Sequence, residues 1–245
     1  MSQLPLVIVR PQPGADATAR RALAIGLSPI VCPLFEIAAI EWMAPEPGQF
    51  DALMLTSANA ARGAGLSLDR YRRMPVYVVG EESADAARAG GLAPYFVGDG
   101  GATALANRIA LDGHRKVLWL CGRDRIEIAV PPILSITSVA VYESRERPAS
   151  AELMARLAEE AIVALHSVRA ANAFARIAVD RDTIAIAALS PAVATAAGEG
   201  WRIVAAAANP TDAALLALAA QLCQKLGPNP ITRARPQGPN DDTRS

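Results

Sequence analysis

LMLTSANAA (residues 53–61) joins three apolar residues to Thr-Ser and then to a run of small residues with an Asn inside it. A strand-like run that ends in hydroxyls and passes directly to helix-forming alanines reads as a strand-to-helix corner, with Ser57 as the helix N-cap. ALHSVRAA (164–171) repeats the corner, with Ser167 in the same place. At such a corner the first-turn N–H groups and the positive helix end remain available, which suits a carboxylate or a phosphate.

The two corners belong to a longer repeat. Ser57 and Ser167 stand 110 positions apart, and the same shift carries Gly80 onto Ser190, Ala84 onto Ala194, Ala87 onto Ala197, Gly90 onto Gly200 and Leu105 onto Leu215. Spacing preserved over this length reads as an internal duplication.

Working outward, short apolar runs alternate with Ala/Leu/Arg-rich stretches, the pattern of βα units and a parallel sheet. Expected strands are 6–9, 29–35, 52–55, 76–79, 117–121, 138–142, 161–165 and 183–189; expected helices are 15–26, 83–91, 102–111, 152–160, 168–178, 192–200 and 211–226. The second repeat lacks later counterparts to VLWLCGRDR and SVAVYES, but LVIVRPQPG and SPIVCPLFEI at the N-terminus supply them. One domain is therefore expected to be discontinuous, 1–36 plus 160–226, and the other to be 48–140. Segments 37–47 and 141–159 are the two linker passages, and the Pro-, Asn-, Asp- and Arg-rich stretch 227–245 reads as a disordered tail. Both crossings leave from the carboxyl end of a strand, where open parallel sheets place their ligand crevice. The two sheets are thus expected to turn those ends toward a shared cleft.

Composition narrows the function. The 245-residue chain has 24 Lys+Arg against 24 Asp+Glu, so no net basic field gathers nucleic acid or acidic membrane. Cys32, Cys121 and Cys223 are odd in number and in no CxxC spacing, which fits a reducing cytoplasm better than disulfides or zinc. His114 and His166 form no HExxH-type pair, so no metal is expected. MSQLPLVIVRPQ has no charged n-region and too short an apolar run for a signal peptide, and no window approaches 18 apolar residues. A cytoplasmic protein is expected, with monomer as the default. GDGGATA (98–104) lacks the Lys-Ser/Thr of a phosphate loop and does not fit GxGxxG, which disfavours a nucleotide-dependent enzyme.

In VIVRPQPGA (7–15), PLFEI (33–37), FDALMLTSANA (50–60), VYVVGEESA (76–84), WLCGRDR (119–125), VAVYES (139–144), LHSVRAA (165–171), AALSPAVA (187–194) and NPTDAAL (209–215), the sequence resembles uroporphyrinogen-III synthase. It is the ordered set, reaching to about residue 226, that carries the resemblance. The resemblance implies an α/β fold of two flavodoxin-like parallel-sheet domains joined by a two-stranded linker, the first discontinuous in sequence. It implies cyclisation of hydroxymethylbilane to uroporphyrinogen III, with loss of water and inversion of ring D, without metal or organic cofactor. The pyrrole's own electrons expel the hydroxyl and the free substrate also closes, to the uninverted isomer. The protein's task is then control by orientation, with electrostatic help for a cationic intermediate.

Implied site residues follow from the matching stretches. Tyr142 aligns with the family's cleft tyrosine and is expected to donate its hydroxyl to the departing water. The first corner offers Thr56, Ser57, Ala58 and Asn59; the next loops offer Gly80 and Ser83, then Gly122 and Arg123. The second repeat offers Ser167 and Arg169, Ser190 and Ala192, and Thr211, read first as an N-cap; Arg10 follows the first strand. Ser190-Pro191-Ala192-Val193 replaces a Gly-Pro-Thr-Thr-like run common in the family, so backbone contacts rather than hydroxyls are expected there. Cys121 reads as a buried strand-end thiol, His114 as solvated, and His166 as lacking an acid partner. The alternative reading is a non-catalytic bilobal module that closes on a small anion.

Overall fold

The computed structural model describes residues 4–125 and 127–227, so the expected tail, Gly227 apart, lies outside the described residues. In chain order the elements are β1 (Pro5–Ile8), α1 (Gly14–Ala24), β2 (Ser28–Val31), β3 (Phe35–Ala39), β4 (Ala52–Leu55), α2 (Ala58–Ala64), β5 (Val76–Val79), α3 (Glu81–Ala89), β6 (Pro94–Gly98), α4 (Gly101–Leu111), β7 (Lys116–Gly122) and β8 (Ser135–Glu146). They continue as α5 (Ala151–Leu157), β9 (Ala161–Leu165), α6 (Val168–Ile177), β10 (Ile184–Ala188), α7 (Pro191–Ala197), β11 (Ile203–Ala206) and α8 (Asp212–Leu226).

The chain divides into two compact units. One holds the described residues up to Phe35 together with those from Arg147 onward; the other is Glu36–Glu146. In the first unit the sheet order is β11-β10-β9-β1-β2, and every neighbouring pair is parallel. In the second it is β3-β8-β7-β4-β5-β6, parallel from β8 to β6. Strand β3 runs antiparallel to β8: Ile40 N–H donates to Val141 O at 3.2 Å, while Arg147 N–H, further along, donates to the earlier Leu34 O at 2.9 Å. The fold is thus a mixed α/β arrangement built on parallel sheets.

The sequence duplication is legible in the sheets. Matching β4, β5 and β6 to β9, β10 and β11, and β7 and β8 to β1 and β2, turns one strand order into the other. In each unit the chain direction across the sheet therefore switches at one place, between β1 and β9 or between β7 and β4. A crevice opens at the carboxyl ends of strands at such a switch.

Each sheet is apolar on both faces, as a parallel sheet covered by helices must be. In the second unit Leu53, Leu55, Val76, Val78, Leu118 and Leu120 face α2 and α3, while Ala52, Met54, Tyr77, Val117, Trp119 and Cys121 face α4. In the first, Val163, Leu165, Ile184 and Ile186 pack with Phe174 of α6, and Leu6, Ile8, Ile162 and Ala185 pack with Leu215 and Leu216 of α8. A fully buried Leu, Ile or Phe contributes about 1.5–3 kcal/mol. Phe174 also stacks on Trp201, with centroids 5.4 Å apart.

Four elements differ from the sequence reading. The expected strand 29–35 is two strands, because the chain passes here from one sheet to the other: β2 pairs with β1 and β3 with β8. Strand β8 runs on to Glu146, beyond the expected 142. Strands β6 and β11 were not expected; both are sheet edges with mixed exposure, so their residues show no apolar alternation.

Candidate functional site

The carboxyl edge of the second unit carries a pocket of about 270 Å³. Thr56, Ser57, Gly122, Asp124, Arg125 and Tyr142 supply its polar wall, and Val79, Ala102, Trp119 and Ile128 much of its apolar one. It sits at the switch between β4 and β7. Local structure explains why. Strand β4 ends at Leu55, and Ser57 in extended conformation caps α2, its hydroxyl accepting from Asn59 N–H at 3.2 Å. Thr56, one residue earlier, is left out of the cap. Its Oγ1 accepts the indole N–H of Trp119 at 3.1 Å.

Tyr142 is placed by an irregularity. Cys121 pairs with Ala140, but the next residue, Gly122, pairs with Tyr142, so Val141 is the extra residue of a bulge. Bulges re-aim side chains at strand ends. Here the bulge sets the Tyr142 ring over Gly122: a Cβ on Gly122 would stand 2.8 Å from Cζ and 3.0 Å from Oη. Gly63 of α2 allows the other close approach, since a Cβ there would lie 3.0 Å from Tyr142 Cβ and 2.7 Å from Val141 O. Burial pushes the Cys121 thiol up despite the pull of Arg125, so it stays protonated and is no nucleophile.

Ala58, Asn59, Gly80, Ser83 and Arg123, also expected in the site, do not line this pocket. Ala58 is buried in the first turn of α2, and Asn59 Oδ1 accepts from Arg62 at 3.2 Å. Gly80 caps α3 with φ 75°, a conformation that a side chain resists, and donates its N–H to Gly98 O at 2.8 Å. Ser83 is buried, so its hydroxyl is not open to a ligand in this structure. Arg123 is exposed and paired with Glu143 at 2.5 Å; Arg145 holds the other oxygen of the same carboxylate.

The carboxyl edge of the first unit is organised around an acid that the reading of the sequence did not single out. Asp212, the first residue of α8, accepts from Thr18 Oγ1 at 2.8 Å, Arg21 at 2.7 Å and His166 Nε2 at 2.9 Å, with Arg10 at 3.5 Å. This corrects the expectation for His166: its acid partner exists, 46 positions away, brought close by the meeting of β9 with the start of α8. Burial alone would raise the Asp212 carboxyl, but the hydrogen bonds from His166, Arg21 and Thr18 outweigh it and hold it well below the usual range. Burial lowers the His166 pKa, so its neutral imidazole carries the proton on Nε2, facing the carboxylate. Arg10 also donates to Thr18 at 3.2 Å and folds over bare Gly14 at the start of α1.

Ser167, Ser190 and Thr211 are side-chain caps of α6, α7 and α8, accepting from Ala170, Val193 and Ala214 N–H at 3.1, 3.4 and 3.2 Å. The capping roles expected of Ser57, Ser167 and Thr211 are therefore in place. Ala192 is exposed in the first turn of α7, and Arg169 lies 4.8 Å over the Phe35 ring. His114 differs from expectation: it is half-buried, edge-on to Tyr77 at 5.6 Å.

A larger concavity, about 950 Å³, lies along the second halves of α2 and α3, the edge opposite the strands' carboxyl ends. Its Arg72 pairs with Asp69 and its Arg62 with Glu82. Among the described residues no cluster of three or more His, Cys, Asp or Glu could hold a metal ion, and no helix is long and apolar enough to cross a membrane.

Residues 16–217 match the family model described as uroporphyrinogen-III synthase HemD. No curated protein sequence matches the chain. Among solved structures, the chain is similar to uroporphyrinogen-III synthetase from Helicobacter pylori, with 17% identity, TM-score 0.63, and 89% of this chain and 99% of that one covered. It is also similar to a mutant uroporphyrinogen III synthase from Thermus thermophilus, with 15% identity, TM-score 0.51, and 91% and 99% covered. At these identities the two structures speak for the fold.

Proposed function

The chain belongs to the uroporphyrinogen-III synthase family and cyclises hydroxymethylbilane to uroporphyrinogen III, with loss of water and inversion of ring D; we propose that ring closure is controlled at the pocket beside Tyr142. The observation that carries this reading is the meeting of Tyr142, Thr56 and Ser57 around one cavity at a strand-order switch. Its 270 Å³ falls just under the roughly 300–1,000 Å³ of pockets that enclose a small ligand, so it takes one substituted ring rather than four. Tyr142 donates its hydroxyl to the departing water. The developing cation is stabilised by the ring face of Tyr142.

The substrate carries carboxylates on every ring, while the chain has no net charge. Helix starts resolve this. First-turn N–H groups of α2, α3, α6, α7 and α8 hold the acid side chains, with Arg10, Arg123 and Arg169 as supplements; Gly80 and Ser190 cap α3 and α7, and Ser83 and Ala192 stand in their first turns. The two units act as flavodoxin-like domains on a two-stranded linker, each presenting the carboxyl edge of its own sheet to substrate. The order β2-β1-β9-β10-β11 supports the first part, since it is the flavodoxin order. The chain works as a monomer in a reducing cytoplasm, a setting that suits its three free, buried cysteines. Nothing favours the non-catalytic binding module.

The test is to add purified protein to freshly generated hydroxymethylbilane, oxidise, and separate the isomers. A synthase yields mainly type III with nothing else added. A binding module leaves type I.

A further inference from the structure

We propose that Trp119 is a positioning residue that turns the Thr56 hydroxyl into the pocket as a donor to a substrate carboxylate. The inference rests on the reading of the Tyr142 pocket as the synthase site.

The argument begins with strand periodicity. Side chains two apart on a strand share a face, so Thr56 follows Ala52 and Met54 onto the α4 side, and Trp119 stands there between Val117 and Cys121. Trp119 pairs with Met54 in register, two residues before Thr56, so its long side chain reaches diagonally up the sheet to the end of β4. The indole is 95% buried, and its N–H meets Thr56 Oγ1 at 3.1 Å.

Donor and acceptor counting then fixes a direction. An indole N–H only donates, whereas a hydroxyl has one proton and two lone pairs. With one lone pair of Oγ1 taken by Trp119, the hydroxyl proton must point away from the indole. The adjacent start of α2 cannot claim it, because a helix start presents N–H donors rather than free acceptors, and Ser57 meets one of them. Thr56 and Trp119 both line the cavity, and Tyr142 lies on its wall. The proton of Thr56 is therefore offered to the pocket's contents. A carboxylate accepts only, so it is the matching group. Without the indole, Thr56 could rotate and donate elsewhere, and a buried indole without its partner would be unsatisfied. This explains why a Trp rather than a Phe lies beneath the corner.

The experiment is a double-mutant cycle on kcat/KM for hydroxymethylbilane, with the type III fraction read in parallel. Trp119→Phe removes the N–H but also ring volume. A second variant therefore replaces Trp119 with the analogue in which sulfur takes the place of the ring nitrogen, which keeps the volume. Thr56→Val removes the hydroxyl at nearly constant shape. Each single change is expected to lower kcat/KM by about ten- to a hundredfold, chiefly through KM, as for loss of a hydrogen bond to a charged group. Because the residues act as a unit, adding the sulfur analogue to Thr56→Val should cost no more than Thr56→Val alone. Losses that multiply, or an unchanged kcat/KM in the folded sulfur variant, would overturn the proposal. A wild-type protein that gives no type III isomer would instead sink the functional reading itself.

Discussion

The phenol of Tyr142 lies against the bare α-carbon of Gly122, near enough that a methyl group there would come within 2.8 Å of Cζ. The β8 bulge at Val141 makes these two residues neighbours across the ladder. Gly122→Ala should therefore push the ring out of place while leaving the backbone, which is not in the left-handed region, undisturbed. Turnover is expected to fall about tenfold with the unfolding midpoint little changed, since the displaced atoms are the tip of a movable side chain. Activity equal to wild type would mean that the seat of Tyr142 is unimportant.

Tyr142→Phe keeps the ring over Gly122 and removes the hydroxyl. If that hydroxyl assists water to leave, kcat drops by about tenfold or more with circular dichroism unchanged. An unaltered rate removes Tyr142 from the mechanism.

Capping gives a prediction separate from catalysis. Ser57→Ala and Ser167→Ala each delete an oxygen that satisfies a first-turn N–H, and each should destabilise by about 1 kcal/mol, while Gly at either position costs only a few tenths. Urea unfolding curves separate the two. Equal losses for Ala and Gly would deny the capping role.

The Asp212 cluster makes stability depend on pH with a definite sign. His166 is held below its ordinary value of about 6.5, so the unfolded chain takes up its proton first. That contribution is present above about pH 6.5 and fades as the pH falls through it. Asp212 is held below the ordinary carboxylate value of about 3.9, so its contribution is present above that pH and is lost in stronger acid. Unfolding free energy should therefore decline in two stages as pH falls, and His166→Gln should remove the first. A wild-type profile that is flat from pH 7 to 5 would contradict this.

What the sequence revealed, and what it hid, follows from the range of each interaction. Ser57 and Ser167 were legible as caps because a cap is decided within three residues, and the strand runs at 52–55 and 161–165 were legible because both faces are apolar. The repeat was legible because spacing survives in an unbroken chain, and the shared strand order reflects it. His166–Asp212 and Trp119–Thr56 were hidden because their partners are 46 and 63 positions apart and meet through sheet topology. Asp212 left one local trace, an acid in the first turn after the Thr211 cap, which reads equally well as a helix-dipole residue. The bulge at Val141 left none: VAVYES alternates as any strand does.

Substrate carboxylates are proposed to bind at helix starts on the carboxyl edge of each unit. Hydrogen–deuterium exchange with and without a bilane analogue that cannot cyclise tests it most directly. Slowed amides are expected at the first turns of α2 and α3 in one unit and of α6, α7 and α8 in the other. Protection confined to a single unit, or centred on the groove along the second halves of α2 and α3, would contradict it.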